Sequence, residues 1–530
     1  MTAPLPEGQG SSRNALSAVM TPTAAAKASA TTAPASAAPA AAVPAGSRAP
    51  MLTTQQALDA LLAAATPLRE TEAVATEDAN NRVLAEDIVS LIDVPPMDVS
   101  AMDGYAVCAA DVTGEQKEGA RSEAGAANLN ASEQPVFEVS QRIPAGAMAV
   151  QLTPGTVARI FTGASVPPGA DTIIIQEDAQ ENAQLAPQDA VQDAVRDAAH
   201  ADAQAAPATG NTRQVKVRFA ADAVGSVGQW INRRGADIRA GEVVLRAGTR
   251  LTPQSLGLLA SVGIAQVNVA RRLKVALLFT GDELTRPGQP LTPGAIYNSN
   301  RFTLGALLEN LGCQVTDLGI VPDRLDATRQ ALRSAAADHD LVLTSGGVSV
   351  GEEDHVKPAV EAEGRLSLWK IAMKPGKPLA FGALKRAQAR HQSDGSLHAG
   401  SVSEADGVAG REGNDANDEA HFIGLPGNPV STLVTFVLFV RPFLLRLSGA
   451  TELTPRAIQV RADFETKGDR RNEFLRVRMN ETGGLDLYRS QSSAVLTSTV
   501  WADGLVDNPP GQAIALGDTV RFLPFASLIY

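Results

Sequence analysis

Six carboxylates and three lysines define the chemistry this chain could do. Asp282 and Glu283 follow one apolar run, Asp323 a second, and Glu352, Glu353 and Asp354 a glycine-rich stretch after a third. Carboxylates gathered at one edge repel unless a cation neutralises them, and oxygen donors without His or Cys select a hard ion such as Mg²⁺. Lys370, Lys374 and Lys377 bracket the segment 374–378 (KPGKP) after a fourth run. A hard cation beside lysines is equipment for holding phosphate groups and stabilising transferred negative charge. Residues 344–351 (TSGGVSVG) add closely spaced backbone donors at Ser345, Gly346, Gly347, Ser349 and Gly351, and glycine lets a ligand approach the main chain. No Lys-Ser or Lys-Thr follows at the spacing of a Walker loop. In 425–431 (LPGNPVS), Pro426 and Gly427 lead to Asn428 at a helix cap and Pro429 at the first helical position. Backbone donors at such a start suit an anion, and a purely structural cap is the alternative.

These loops need a frame. Short apolar runs at 273–279, 315–321, 341–344, 366–373 and 422–425 each end in one of them, and helical spacing recurs at 301–311, 325–337 and 430–447. Strand, loop and helix in alternation predict a mostly parallel sheet covered on both faces, with ligands collected at the carboxyl ends of the strands.

The remaining chain is long enough for more cores. With 530 residues, 44% of them hydrophobic, three or four domains are expected. Residues 1–50 are an Ala/Pro-rich tail with almost no large apolar side chains and are expected to be disordered. A helix is predicted over 53–65, capped by Thr53 or Thr54 and packed against 242–270, so that 51–97 and 241–270 form one discontinuous domain. The intervening 98–240 is then an inserted β-rich domain. It takes in all but the first three residues of 95–107 (PPMDVSAMDGYAV), where Asp98 and Asp103 either bond local backbone or serve function. It also holds Thr162, whose hydroxyl and free backbone donor suit an anion, and 230–241 (WINRRGADIRAG), where Arg233, Arg234, Asp237 and Arg239 crowd two glycines. The central α/β domain spans 271–449, and 452–530 reads as a small β-barrel or sandwich. Polar segments at 112–134, 180–212 and 386–419 read as surface insertions.

Composition excludes several partners. Forty-six basic against 58 acidic residues give a formal charge of −12, which disfavours nucleic acid, since phosphate neutralisation needs a basic face. Cys108 and Cys313 build neither a disulfide framework nor a thiolate zinc site. No apolar run of membrane-spanning length is read in the chain, and 1–50 lacks a secretory core, so a cytoplasmic location is expected.

In order and separation, SAMDGYA, TGASVPPGAD, TGDEL, SGGVSVGEED, KPGKP and LPGNPVS resemble the molybdopterin molybdenumtransferase family, the MoeA type that includes the gephyrin E domain. The likeness runs from about Thr53 to the C-terminus, broken by the insertions. It implies insertion of molybdate into adenylylated molybdopterin with release of AMP, Mg²⁺ dependence, and a homodimer whose cleft is shared between subunits. By the same resemblance, Asp103, Thr162 and Asp237 approach from the partner chain. Glu283, Asp323, Asp354, Lys370, Lys374, Pro426 and Pro429 come from the central domain, the first three holding the metal and Lys377 joining the ligand-binding loops. A molybdopterin adenylyltransferase and molybdoenzyme acceptors are the implied protein partners. Ala494 stands where the family more often has glycine.

Overall fold

The computed structural model describes residues 51–114, 135–181, 215–220, 222–347, 355–386 and 418–529. Its centre is the strand Lys274–Thr280, buried along its whole length after Lys274. A strand apolar on both faces must lie inside a sheet covered twice. Gln314–Val321 pairs parallel on one side of it and Leu341–Ser345 parallel on the other, followed by Glu419–Leu425, again parallel. Pro378–Lys385 then runs antiparallel, and Gly364–Lys370 antiparallel to that. The sheet therefore has six strands, and Gly364–Lys370, after two reversals, points the same way as the parallel four.

Alternation along the strands sorts the side chains into two cores. Val275, Leu277, Phe279, Leu343 and Ile423 face the helices Ser299–Asn310 and Pro429–Leu447. Ala276, Leu278, Val342 and Phe422 face Leu325–Asp338 and Val356–Glu363. Pro429–Leu447 is long and apolar enough to cross a membrane, which the sequence reading overlooked, but it is 89% buried against the sheet and is a core helix. Its middle, Phe436–Val440, widens into a π-helical turn.

Two readings of the chain need correction. Pro378–Lys385, which the sequence reading assigns to no element, is a strand of the central sheet, and the apolar run 366–373 ends as a strand at Lys370. The early helix Thr54–Ala64 has the expected cap, a reciprocal pair between Thr53 and Gln56. It does not pack on 242–270, however. Ala57, Leu61 and Ala65 enter the central core beside Phe443 and Leu447.

The other sheets are smaller. Thr71–Ala75 pairs with Gln266–Ala270 and Ile88–Val89 with Val243–Leu245, enclosing Leu84, Leu251, Leu259 and Val269 in a core built from two distant pieces of chain. Six strands between Gly104 and Phe219 form a mixed sheet with a core on each face. Near the C-terminus, Ile458–Arg461, Thr519–Pro524, Gly504–Asn508, Asn472–Met479 and Leu485–Leu487 pair in succession. A bridge from Ala462 to Leu485 returns the path to its start, so the strands close into a small barrel around Leu475, Val477, Val506 and Phe522. The whole is an α/β multidomain fold.

Candidate active-site rim

The carboxyl ends of the central strands form one rim. Glu283 follows Lys274–Thr280, Asp323 follows Gln314–Val321, Gly346 and Gly347 follow Leu341–Ser345, and Pro426 to Pro429 follow Glu419–Leu425. Lys370 ends its strand on the same rim, because it pairs with Pro378 at the level just beyond the Ala380–Gly424 pair. The KPGKP turn joining those two strands lies there too.

The described carboxylates and the lysines sit at opposite ends of this rim. Asp323 leaves one edge strand and Lys370 the other, five strand positions apart, roughly 24 Å at ~4.8 Å per strand. For Glu283 and Asp323 the picture of carboxylates beside lysines is corrected accordingly: the glycine loop and the PGNP loop lie between them and the lysines. Glu283 and Asp323 issue from neighbouring strands. Asp354, Ser349 and Gly351 lie outside the described residues, as do Glu352 and Glu353. Among the described residues no three His, Cys, Asp or Glu side chains converge as a metal site. Two carboxylates from adjacent strands still fit Mg²⁺, which takes one or two protein oxygens and fills its shell with water and phosphate.

The middle of the rim is tied together by neutral hydrogen bonds. Ser345 is buried; its hydroxyl donates to the Pro426 carbonyl at 2.8 Å and lies 3.2 Å from Thr432 Oγ1. Asn300 Nδ2 reaches both Ser345 Oγ (2.9 Å) and the Gly427 carbonyl (2.8 Å), and Thr432 Oγ1 donates to the Pro426 carbonyl at 2.6 Å. Ser345 is therefore a brace between two loops rather than a free donor. Gly346 and Gly347 have φ of +92° and +65°, and a Cβ on Gly347 would lie 2.6 Å from Val356 Cγ2. The fold itself thus demands glycine at 347, before any ligand is considered.

The helix start at Asn428 is less open than its sequence suggests. Asn428 is the N-cap residue but makes no capping bond; its amide instead donates to Ser493 Oγ at 3.1 Å. The Val430 N–H, one of the donors expected to face an anion, goes to the Ser493 carbonyl at 3.1 Å. Buried Arg476 holds this loop from below, donating to the carbonyls of Ser490 and Ser492.

At the basic end, Lys370 and Lys377 are exposed, while Lys374 is held. Met373–Lys374 leaves the central sheet and pairs parallel with Asn472 and Glu473 of the barrel. Lys374 Nζ lies 3.1 Å from Glu473 and 3.4 Å from Asp469. Arg471 beside Asp469, more than any other group, keeps that carboxyl far below the ordinary carboxylate range. Gly376, at φ +99°, packs on Thr435, whose hydroxyl would be 2.5 Å from an added Cβ.

In the inserted domain Asp103 and Thr162 meet directly. Asp103 Oδ1 accepts from the Thr162 N–H and hydroxyl, both at 2.8 Å. The Thr162 N–H lowers the carboxyl pKa most, its hydroxyl next, with a smaller contribution from the Arg159 charge. The donors expected to be free for an anion are consequently committed to Asp103. Asp98 is held by Arg233 at 2.6 Å and by the Arg234 N–H at 2.8 Å, and exposed Asp237 donates its N–H to the Val94 carbonyl. Among the described residues, no hydrogen bond of Asp103, Thr162 or Asp237 reaches the rim of the same chain. Sequence reasoning missed Asn300, Thr432, Asp469 and Glu473. The clustered polar residues of 297–301 (YNSNR) were the one available signal for Asn300.

Three family models match the chain in turn: MoeA N-terminal region (domain I and II) over residues 52–263, probable molybdopterin binding domain over 276–446, and MoeA C-terminal region (domain IV) over 459–525. A molybdopterin molybdenumtransferase of Haemophilus influenzae is 34% identical, covering 90% of this chain and 100% of its own length. One from a Nostoc species is 34% identical over 86% and 89%. Two crystal structures of the molybdopterin biosynthesis MoeA protein from Pyrococcus horikoshii cover 90% of this chain. One is 26% identical with a TM-score of 0.59, the other 24% identical with a TM-score of 0.63. With matches of this extent along its described length, the chain belongs to the MoeA family of molybdopterin molybdenumtransferases.

Proposed function

We propose that this protein is a transferase that inserts molybdate into adenylylated molybdopterin, releasing AMP and giving molybdenum cofactor. The observation that carries the reading is the order of groups along one rim: carboxylates, glycine loop, PGNP loop, lysine turn. The substrate is an elongated molecule with a phosphoanhydride at its middle, so a row of sites suits it better than one tight cluster.

In this reading the amides of Gly346 and Gly347, with Pro426, Gly427, Asn428 and Pro429, shape the wall on which the phosphoanhydride lies. Lys370, Lys374 and Lys377 stabilise its negative charge and that of the oxyanion. Glu283 and Asp323, together with Asp354, hold Mg²⁺, which when bound withdraws charge from the phosphate oxygens. No protein nucleophile is needed: water, assisted by the molybdate oxyanion, cleaves the anhydride, AMP leaves, and molybdenum passes to the dithiolene as its displaced oxygens depart as water. Asp103, Thr162 and Asp237 complete the cleft from a second subunit. The pre-formed Asp103–Thr162 contact keeps that carboxylate ionised and aimed. A cytoplasmic location and contacts with an adenylyltransferase and with molybdoenzyme acceptors follow from the same reading.

The test is incubation of the purified protein with adenylylated molybdopterin and Mg²⁺, with and without molybdate, assaying AMP and reconstitution of an apo-molybdoenzyme. Molybdate-dependent release of both products is expected. AMP release indifferent to molybdate would make the protein a nucleotide hydrolase, and no release would make it a binding scaffold.

A further inference from the structure

A recess of about 20 Å³ lies at the seam between the discontinuous unit and the central domain, lined in part by Asn81, Arg82, Arg250, Arg271, Arg272 and Cys313. Two of its arginines are matched by carboxylates. Arg82 pairs with Glu72, and Arg271 pairs with Asp340 at 2.8 Å and with Glu70. Arg250 is different: its Nη2 donates to Asn81 Oδ1 at 2.9 Å and to the Asn310 carbonyl at 2.7 Å, both neutral acceptors. No carboxylate pairs with it among the described residues, and its Nε is buried without a partner.

The neighbourhood does not cancel this charge. Exposed Arg272 donates to the Gly312 carbonyl at 3.1 Å, again a neutral acceptor. Arg441 is 8% exposed and donates to the Leu453 carbonyl at 3.1 Å. Burial pushes Arg441 down to about 10, and the Arg250 charge adds to that effect. Burial likewise raises the Cys313 thiol to about 12, so Cys313 supplies no negative charge. A buried guanidinium without a counterion is costly, and a small anion would offset the Arg250 charge. A recess of about 20 Å³ suits a small anion.

We propose that this recess binds a single halide ion, chloride being the ordinary one, held by Arg250 Nε, with Arg272 on the same lining. The ion pins the discontinuous unit to the central domain and stabilises the folded chain by linkage. The site is independent of the rim chemistry.

The full-length protein is melted in sodium chloride and in sodium gluconate at equal ionic strength, and crystals are soaked in bromide for anomalous diffraction. We expect a melting temperature about 2 °C higher in chloride, a bromide peak in the recess, and loss of the chloride dependence in Arg250→Gln. Equal melting in the two salts overturns the proposal, as does a water alone in the recess. A bromide peak without a melting shift means binding at crystal concentration only and also overturns it. If Arg250→Gln fails to fold, the melting and diffraction of the unaltered protein decide the matter.

Discussion

The acidic and basic ends of the rim are held in opposite ways. Glu283 and Asp323 stand on loops after neighbouring strands and take part in none of the ion pairs among the described residues. Lys374, at the other end, is gripped by Glu473 and Asp469 from a different domain. An end without countercharge needs a cation to gather it, whereas an end with built-in carboxylates is positioned before any ligand arrives. The acidic end should therefore respond to substitution through turnover, and the basic end through binding and through the barrel.

The largest effect is expected from Asp323→Asn. Loss of one charged oxygen donor at a site that stabilises transferred charge should lower turnover on the order of 100-fold, with molybdopterin binding nearly unchanged. Equal losses in turnover and in pterin affinity would remove the metal-holding role from this end. Next comes Lys374→Met, expected to raise KM for adenylylated molybdopterin ~10-fold, the range of one charge-assisted hydrogen bond. Glu473→Gln should act in the same direction, because it frees the lysine from its nearest partner. Its stability cost should be about 1 kcal/mol rather than that of a fully buried pair, since Lys374 is 39% exposed. The comparison fails if the two substitutions prove additive in a double-mutant cycle, which would mean that Glu473 does not work through Lys374.

This coupling explains what could be read in the chain and what could not. The strand at Lys274–Thr280 was visible because six consecutive residues are buried, and burial on both faces leaves a continuous apolar run. Pro378–Lys385 was not, since it opens on the last proline of KPGKP and carries Gly382 in its middle. That glycine is a packing requirement: a Cβ there would lie 2.1 Å from the Arg365 carbonyl oxygen of the adjacent strand. The rim groups were recognisable as residue types after strands, but their separation was not, because strand order is a tertiary property. Glu473 pairs with Lys374 across 99 positions, and no local spacing announces such a pair. The Thr162 donors looked free for the same reason, Asp103 being 59 positions away.

Between the two ends, Ser345→Ala should have an intermediate effect. It removes the hydroxyl shared by the Pro426 carbonyl, Thr432 and Asn300, so about 1–2 kcal/mol of stability should be lost. Activity should fall only a few-fold, with KM and turnover moving together, because the loops loosen without losing a charge. Urea midpoints and steady-state kinetics on the same preparation would check this. A loss as large as that of Asp323→Asn would mean that Ser345 touches the substrate rather than the loops.

The smallest effect belongs to a residue remote from both ends, and it serves as their control. His421 lies near the start of the strand Glu419–Leu425, at the end of the sheet away from the rim, stacked on Phe381 and edge-on to Phe443. Burial lowers its pKa most, the Arg365 charge next, against weaker pulls from Asp340 and Glu419. A histidine with a depressed folded value binds more protons when unfolded. The stability it contributes is therefore intact above the unfolded value of ~6.5 and lost as pH falls below it. His421→Phe, packed among the same rings, should flatten the decline of the urea midpoint between pH 7.5 and 5 while leaving the pH profile of turnover unchanged. If the turnover profile moved as well, the far edge would be coupled to the rim, and the contrast between the two ends could no longer be assigned to their local charges.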